Sequence, residues 1–290
     1  MNPLRSFLAP VLVLAVFSAG PVDAQEDAKA PLKVLLVAGG CCHDYAAQTK
    51  LLKAGIESRI NAEVTVEFNP SNGTDTRFKV YESDDWAEGY DVVLHDECSA
   101  SVTERPYIDR ILAAHQAGVP AVNLHCAMHS YRWGDFRTPV DPDADNAGWY
   151  KMIGVQSTAH GPKQPIDVSY VDPNHAITKG MKDWTTINEE LYNNLRVYGN
   201  TEVLAKGDQL QPPRKKDLKA DPDAKPKMAS AVVVWTNLSG PNITKIFSTT
   251  RGHYTETVGD DRSLARMSRG LLWSTGNLNA DGTPAEPYAK

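Results

Sequence analysis

Five of the chain's eight histidines, His43, His95, His125, His129 and His253, stand just past runs that read as strands. An imidazole there can pass a proton near neutral pH or ligate a metal. The densest stretch is Pro120-Ala-Val-Asn-Leu-His125-Cys126-Ala-Met-His129-Ser130, where an apolar strand runs into a His-Cys pair and then into an expected helix. A thiol at such a turn faces away from the core, and the free N–H groups of a helix start can lower its pKa and receive an oxyanion. The same pair also fits a small buried thiol beside a satisfied core histidine.

The other candidates carry similar alternatives. His43 with Asp44 offers a polar pair after the first strand, or simply the cap of the next helix. His95 could do no more than donate to a backbone carbonyl. His125 and His129 are four apart, as metal ligands on one helical face are, but His125 precedes the expected helix. His115, inside an amphipathic stretch, and His175, in Asp172-Pro-Asn-His175, read as structural. Tyr131, Trp133, Trp149 and Tyr254 could stack on sugar rings or serve as core and rim packing.

The elements that must position these groups alternate along the first half. Leu32 to Ala38 is an apolar strand ended by Gly39-Gly40, followed by a helix from Ala46 to about Ile60 with Leu51, Leu52, Ile56 and Ile60 on one face. Strands follow at Glu63 to Phe68, Asp91 to His95 and Pro120 to His125. Ser101-Val-Thr-Glu104 reads as a capping box for a helix through Ala117, stopped by Gly118. Further on, Asp141 to Asn146 is a polar loop and Gly148 to Gly154 a short helix. Strands are expected at Ile166 to Val171, Glu202 to Ala205, Ser230 to Trp235 and Lys245 to Thr249, an exposed loop at 207–228, and a last helix from Arg262 to Thr275. The pattern predicts an α/β fold, a doubly wound and mostly parallel sheet flanked by helices in a flavodoxin-like three-layer sandwich. In such sheets ligands bind outside the carboxyl ends of the strands, where these histidines collect.

Composition bounds the partners. A formal net charge of -6 without a Lys/Arg stripe argues against nucleic acid or an anionic membrane surface and favours a small neutral ligand. Residues 1–24 read as a signal peptide, with Arg5, an apolar run from Ala9 to Ala19 and Val22-Asp23-Ala24 as the cleavage site. A linker at 25–31, a single domain at 32–279 and a tail at 280–290 follow. The mature chain is thus expected to be exported, periplasmic or secreted, with no membrane partner after cleavage. In an oxidising compartment Cys41, Cys42, Cys98 and Cys126 could form two disulfides in three connectivities, and adjacency argues against Cys41 bridging Cys42. Their spacing matches no zinc ribbon, so no residue is assigned as a metal ligand and no cofactor is predicted, a divalent metal being left open. Nothing in the sequence sets the oligomeric state.

From Leu32 to Asn279 the chain resembles the ThuA-like (trehalose utilisation) family. The resemblance rests on the ordered set Gly39-Gly-Cys-Cys-His43-Asp44, Asn123-Leu-His125-Cys-Ala, Gly154…His160-Gly161, Asp172-Pro-Asn-His175-Ala-Ile-Thr, Glu189-Glu190-Leu-Tyr192 and Ser248-Thr-Thr-Arg-Gly-His253-Tyr254. It implies a class I glutamine amidotransferase-like fold and a role in carbohydrate utilisation, on disaccharides or their 3-keto derivatives. It also aligns Cys126 with the amidotransferase nucleophile elbow and His253 with the histidine after a late strand. The chain departs from amidotransferases there: Leu-His-Cys-Ala-Met replaces Gly-x-Cys-x-Gly, and His253-Tyr-Thr-Glu256 replaces His-Pro-Glu. With no partner in view to receive ammonia, glutaminase activity is not expected.

Two catalytic readings follow. In the first, the enzyme acts on a sugar or keto-sugar, with His125, His253 or Glu190 as acid/base, Tyr192 orienting hydroxyls, and His43, Asp44, His160 and Tyr254 binding substrate. In the second, Cys126 attacks a carbonyl with His253 as base, oriented by Glu256 or Glu190. A non-catalytic sugar-binding module and a metal-dependent centre are the remaining alternatives.

Overall fold

The computed structural model describes residues 30–290. The signal peptide read at 1–24, and most of the linker, lie outside the described residues.

The first half of the chain lays down β1 (Leu32–Gly40), α1 (Tyr45–Glu57), β2 (Ala62–Asn69), β3 (Val92–Cys98), α2 (Arg105–Gln116) and β4 (Ala121–Leu124). After α3 (Gly148–Ile153) come short strands: β5 (Val155–Gln156), β6 (His160–Gln164), β7 (Asp167–Tyr170), β8 (Trp184–Thr185), β9 (Glu189–Tyr192) and β10 (Arg196–Val197). The chain ends with β11 (Thr201–Gln211), α4 (Lys215–Ala220), β12 (Lys227–Ser239), β13 (Thr244–Thr249), α5 (Thr255–Val258) and α6 (Asp261–Ser274).

Nine strands join in the order β2-β1-β3-β4-β13-β12-β11-β7-β8. From β2 to β13 the neighbours are parallel; from β13 to β8 they are antiparallel. The expected three-layer α/β architecture is present, with its parallel character concentrated in one half of the sheet. Alternation along β1 sends Leu32, Val34 and Leu36 into a core with α1 and α6, and Leu35 and Val37 into a second core with α2 and α3. The inward side chains of α6, Leu264, Met267, Leu271 and Leu272, are all buried, each worth roughly 1.5–3 kcal/mol of burial.

Several expectations are corrected. Glu104 is itself the cap residue of α2 and makes no side-chain cap bond, so the Ser101…Glu104 capping box does not form; Pro106 in the first turn supplies the start signal. His95 lies inside β3, which continues to Cys98. The helix expected after Cys126 is a short 3-10 turn, His125–His129. Residues 207–228 are not a loop throughout, because the β11–β12 pairing extends to Gln211 and Lys227 and α4 fills part of the gap. The tail docks: the Asn61 amide donates to the Tyr288 carbonyl, and Tyr288 packs on the core. Cys41 is joined to Cys42, because the turn after β1 places Cys42 at φ +87°, and Cys98 is joined to Cys126.

Candidate functional site

The parallel strands all point the same way, so the ends of β1, β3, β4 and β13 share one edge. Beyond β1 the chain must turn at once. Gly40 has φ +93°, and a Cβ there would stand 2.3 Å from the Cys98 carbonyl oxygen, which excludes any other residue. This turn delivers His43. β4 delivers His125, itself at φ +46°, a left-handed conformation that costs a non-glycine residue about 1–3 kcal/mol and is found where function requires it. β13 delivers His253 through Thr250-Arg251-Gly252, and the two-stranded antiparallel sheet of β6 and β9 brings His160, Glu190 and Tyr192 over the same edge.

Glu190 is the hub. Its Oε2 lies 3.6 Å from His125 Nε2 and 3.3 Å from His253 Nδ1, and its Oε1 lies 3.6 Å from His160 Nδ1. The His43 ring sits 4.8 Å from both the His125 and His253 rings, edge to face. Backbone carbonyls fix two of the imidazoles: His43 Nδ1 donates to the His253 carbonyl at 3.2 Å and His125 Nδ1 to the Thr250 carbonyl at 2.5 Å. A carbonyl only accepts, so Nδ1 carries a proton in each ring, and in the neutral form Nε2 keeps the lone pair. The Tyr192 hydroxyl donates to His125 Nε2 at 3.3 Å, and its ring stacks on His129 at 4.3 Å.

Charges in this site are strongly biased. Burial works against ionisation of Glu190, but hydrogen bonding to His125 and His253 and the charge of His125 and His160 outweigh it and hold the carboxyl well below the usual range. Burial, reinforced by His125 and His253, pushes His43 down to about 3. Burial and the Arg132 charge push His129 down as well. A permanent carboxylate thus sits beside a His43 ring that burial keeps neutral. The site opens to solvent along one side, where the His160 side chain is 43% exposed.

The chain matches the family model described as trehalose utilisation, ThuA, over residues 33–274. It belongs to the ThuA family. Among solved structures, ThuA-like proteins from Parabacteroides merdae and Bacteroides uniformis each superpose with a TM-score of 0.56 at 17% identity, covering 88% of this chain and 97% of theirs. A cytoplasmic protein from Salmonella typhimurium superposes at 0.53 with 10% identity, covering 83% of this chain and 99% of its own. At such identities these likenesses show the fold alone. No curated protein matches the sequence.

In this ThuA chain the structure gathers His43, His125, His160, Glu190, Tyr192 and His253 at one edge. Tyr254 borders it, its ring 4.5 Å from that of His253. Asp44 is different: it is exposed, and its Oδ1 accepts from the Ala47 amide at 3.0 Å as the cap of α1. Cys126 lies at the edge but is bonded to Cys98, so in this form it holds no thiolate and the cysteine-hydrolase reading lacks its nucleophile. Glu256 falls in the first turn of α5, outside the contacts of Glu190.

Sequence reasoning gave Glu189 no role of its own. Its buried carboxylate accepts from the amides of His253 at 3.2 Å and Tyr254 at 3.3 Å and so positions the β13 loop. The Glu189-Glu190 pair is the available signal, since alternation along a strand must send the two carboxylates to opposite faces. A surface cleft of about 560 Å³ between α2, α3 and residues 239–241 shares no residue with this ThuA site. It is lined by Arg105, Asp145 and Lys151 and holds no histidine, so the chemistry favours the strand edge.

Proposed function

We propose that this edge is an acid–base centre acting on a carbohydrate, a disaccharide or 3-keto-glycoside. The observation that carries the reading is Glu190, one carboxylate within 3.6 Å of three histidines on three different segments. Such a group can hold an imidazole poised to take or return a proton, the work general acid–base catalysis needs. A 3-keto-glycoside offers a suitable proton, because the ketone at C3 acidifies the C2–H. One imidazole, supported by Glu190, removes that proton, the freed electron pair forms a C1=C2 double bond as the C1–O bond to the leaving group breaks, and a second, protonated imidazole gives its proton to the departing oxygen. His125 and His253 are assigned these roles. Tyr192 orients a hydroxyl, and His43, His160 and Tyr254 line the open side. The family's description as trehalose utilisation supports a sugar as occupant.

The reading places the protein outside the cytoplasm. The leader-like residues 1–24 support this, and so do two disulfides, which persist in oxidising compartments. N-terminal sequencing of the protein recovered from culture should begin near Gln25.

The deciding experiment incubates the protein with trehalose, sucrose, cellobiose and their 3-keto forms and reads products by mass spectrometry. A cleaved or rearranged sugar that disappears with His125→Ala and His253→Ala supports the assignment. Turnover unchanged in both variants would overturn it, and saturable binding without product would make the protein a binding module.

A further inference from the structure

We propose that His43, His125 and His253 form a binding site for a divalent transition-metal ion of the zinc class, with Glu190 as the carboxylate beside it. One ring nitrogen from each histidine lies within 4.8 Å of the others. The three come from the ends of β1, β4 and β13, so a hydrogen-bonded parallel sheet sets their spacing.

The surroundings match what a ligating imidazole requires. Metal-bound histidines donate their second nitrogen to a carbonyl or carboxylate, which fixes ring and tautomer. His43 donates Nδ1 to the His253 carbonyl and His125 donates Nδ1 to the Thr250 carbonyl, which leaves Nε2 of each as the lone-pair nitrogen. His253 Nδ1 is buried without an aligned hydrogen-bond partner, although Glu190 Oε2 is 3.3 Å away. The pocket thus gathers ring nitrogens beside an anionic group, and the long 3.3 Å bond from the Tyr192 hydroxyl to His125 Nε2 is the contact a metal ion would displace.

Donor chemistry selects the ion. Imidazole nitrogens suit zinc, copper, nickel and iron, whereas magnesium and calcium take oxygen ligands. Three protein ligands with one side open is the arrangement of catalytic rather than structural zinc sites. Sulfur offers a competing set, since Cys98 and Cys126 also come close to His43. Both sulfurs are spent in one disulfide, which favours the imidazoles. The inference rests on reading this edge as the functional site, and because a ligating imidazole has no lone pair for proton transfer, with the ion bound the acid–base work falls to Glu190 and His160.

Purified protein, stripped by chelation, is titrated with Zn2+ alone by calorimetry and loaded with Co2+ for visible spectroscopy. We expect a single ion per chain and the d–d bands of a low-symmetry cobalt site. His43→Gln, His125→Gln and His253→Gln should each weaken Zn2+ binding by at least the roughly 10–100-fold seen when an outer-shell partner is lost. Glu190→Gln should weaken it less, and His175→Gln should leave it unchanged. Absence of stoichiometric binding by the unaltered protein would overturn the proposal without reference to any variant. So would equal binding by the three histidine variants, shown by circular dichroism to be folded, or cobalt–thiolate charge-transfer bands that move the site to the cysteines. Repeating the sugar screen with and without chelator separates the two readings. Product formed by protein that binds no metal leaves the carbohydrate assignment standing alone, and metal binding without product does the reverse.

Discussion

Two histidine clusters sit on neighbouring strands of the same sheet and differ in what surrounds them. At the strand edge, His43, His125 and His253 meet Glu190 with one side open to solvent. Inside the sheet's other core, His95 Nδ1 faces Glu97 Oε1 at 2.8 Å and His95 Nε2 faces His115 Nε2 at 3.0 Å. The hydroxyls of Tyr81 and Tyr131 both donate to the same Glu97 oxygen, and His95, Glu97 and His115 are fully buried. The groups are alike, yet only one cluster can meet a substrate. Imidazole and carboxylate in contact therefore do not mark a site by themselves; strand ends and exposure do.

Substitution on each side of this comparison should separate activity from stability. His125→Ala should lower turnover of the sugar identified by the screen by about 10²–10⁴-fold, the usual span of an acid–base group. His125→Gly, which also relieves the left-handed backbone, should lose the same turnover with little change in melting temperature. A melting temperature that falls with activity kept would reverse the roles of the clusters.

Glu97→Ala should do the opposite. It takes a buried acceptor from His95 Nδ1 and from the Tyr81 and Tyr131 hydroxyls, and each buried polar group left unsatisfied costs about 1–3 kcal/mol. Denaturant titration should show that loss, while the folded fraction retains turnover. If the folded protein is inactive, the buried cluster is coupled to chemistry and the division fails.

Much of this was legible beforehand, for identifiable reasons. The runs Leu32–Ala38 and Pro120–Leu124 are apolar and short, as doubly buried parallel strands must be, so the placement of His43 and His125 at strand ends followed. The convergence of His160 and Glu190 rested on family resemblance, because the pairing of β6 with β9 skips β7 and β8 and leaves no periodic signal. His95 was misplaced because β3 continues through Asp96 and Glu97, polar residues that no alternation marks as strand. Burial first and the Glu97 charge second raise the Asp96 pKa there, which favours its neutral form. The Cys41–Cys42 bond needed a left-handed residue at Cys42, and a cysteine does not advertise that conformation.

Acid should read out the buried cluster through stability. Burial, with the charge of His95, pushes His115 from its ordinary 6.5 down to about 3, against the opposing bond to the Val119 carbonyl. Below pH 6.5 the unfolded chain's His115 therefore takes up a proton that the folded chain refuses, so stability falls as pH falls through that window. The slope from this group is at most about 1.4 kcal/mol per pH unit. Unfolding free energies measured from about pH 7 down to pH 5, above the range of ordinary carboxylates, should show it. His115→Leu should reduce the slope by this group's share, His43 and His129 supplying the rest, even though it lowers stability at neutral pH. An unchanged slope would mean that His115 is not the group that resists protonation.

The smallest effect belongs to Asp44, which neighbours the edge cluster in sequence and not in contact. Its carboxylate caps α1 by accepting from the Ala47 amide, and losing such a cap costs about 0.5–2 kcal/mol. Asp44→Ala should lower stability by that amount and leave KM for the sugar unchanged, whereas Asp44→Ser, which keeps a capping oxygen, should restore most of it. The pair of variants decides the boundary of the edge cluster. If KM rises in both while only Asp44→Ala loses stability, Asp44 reaches the substrate as well as the helix, and the cluster extends one residue beyond His43. If stability alone responds, the pocket ends at the imidazole ring, and the residue beside it serves only to start the helix that holds the turn in place.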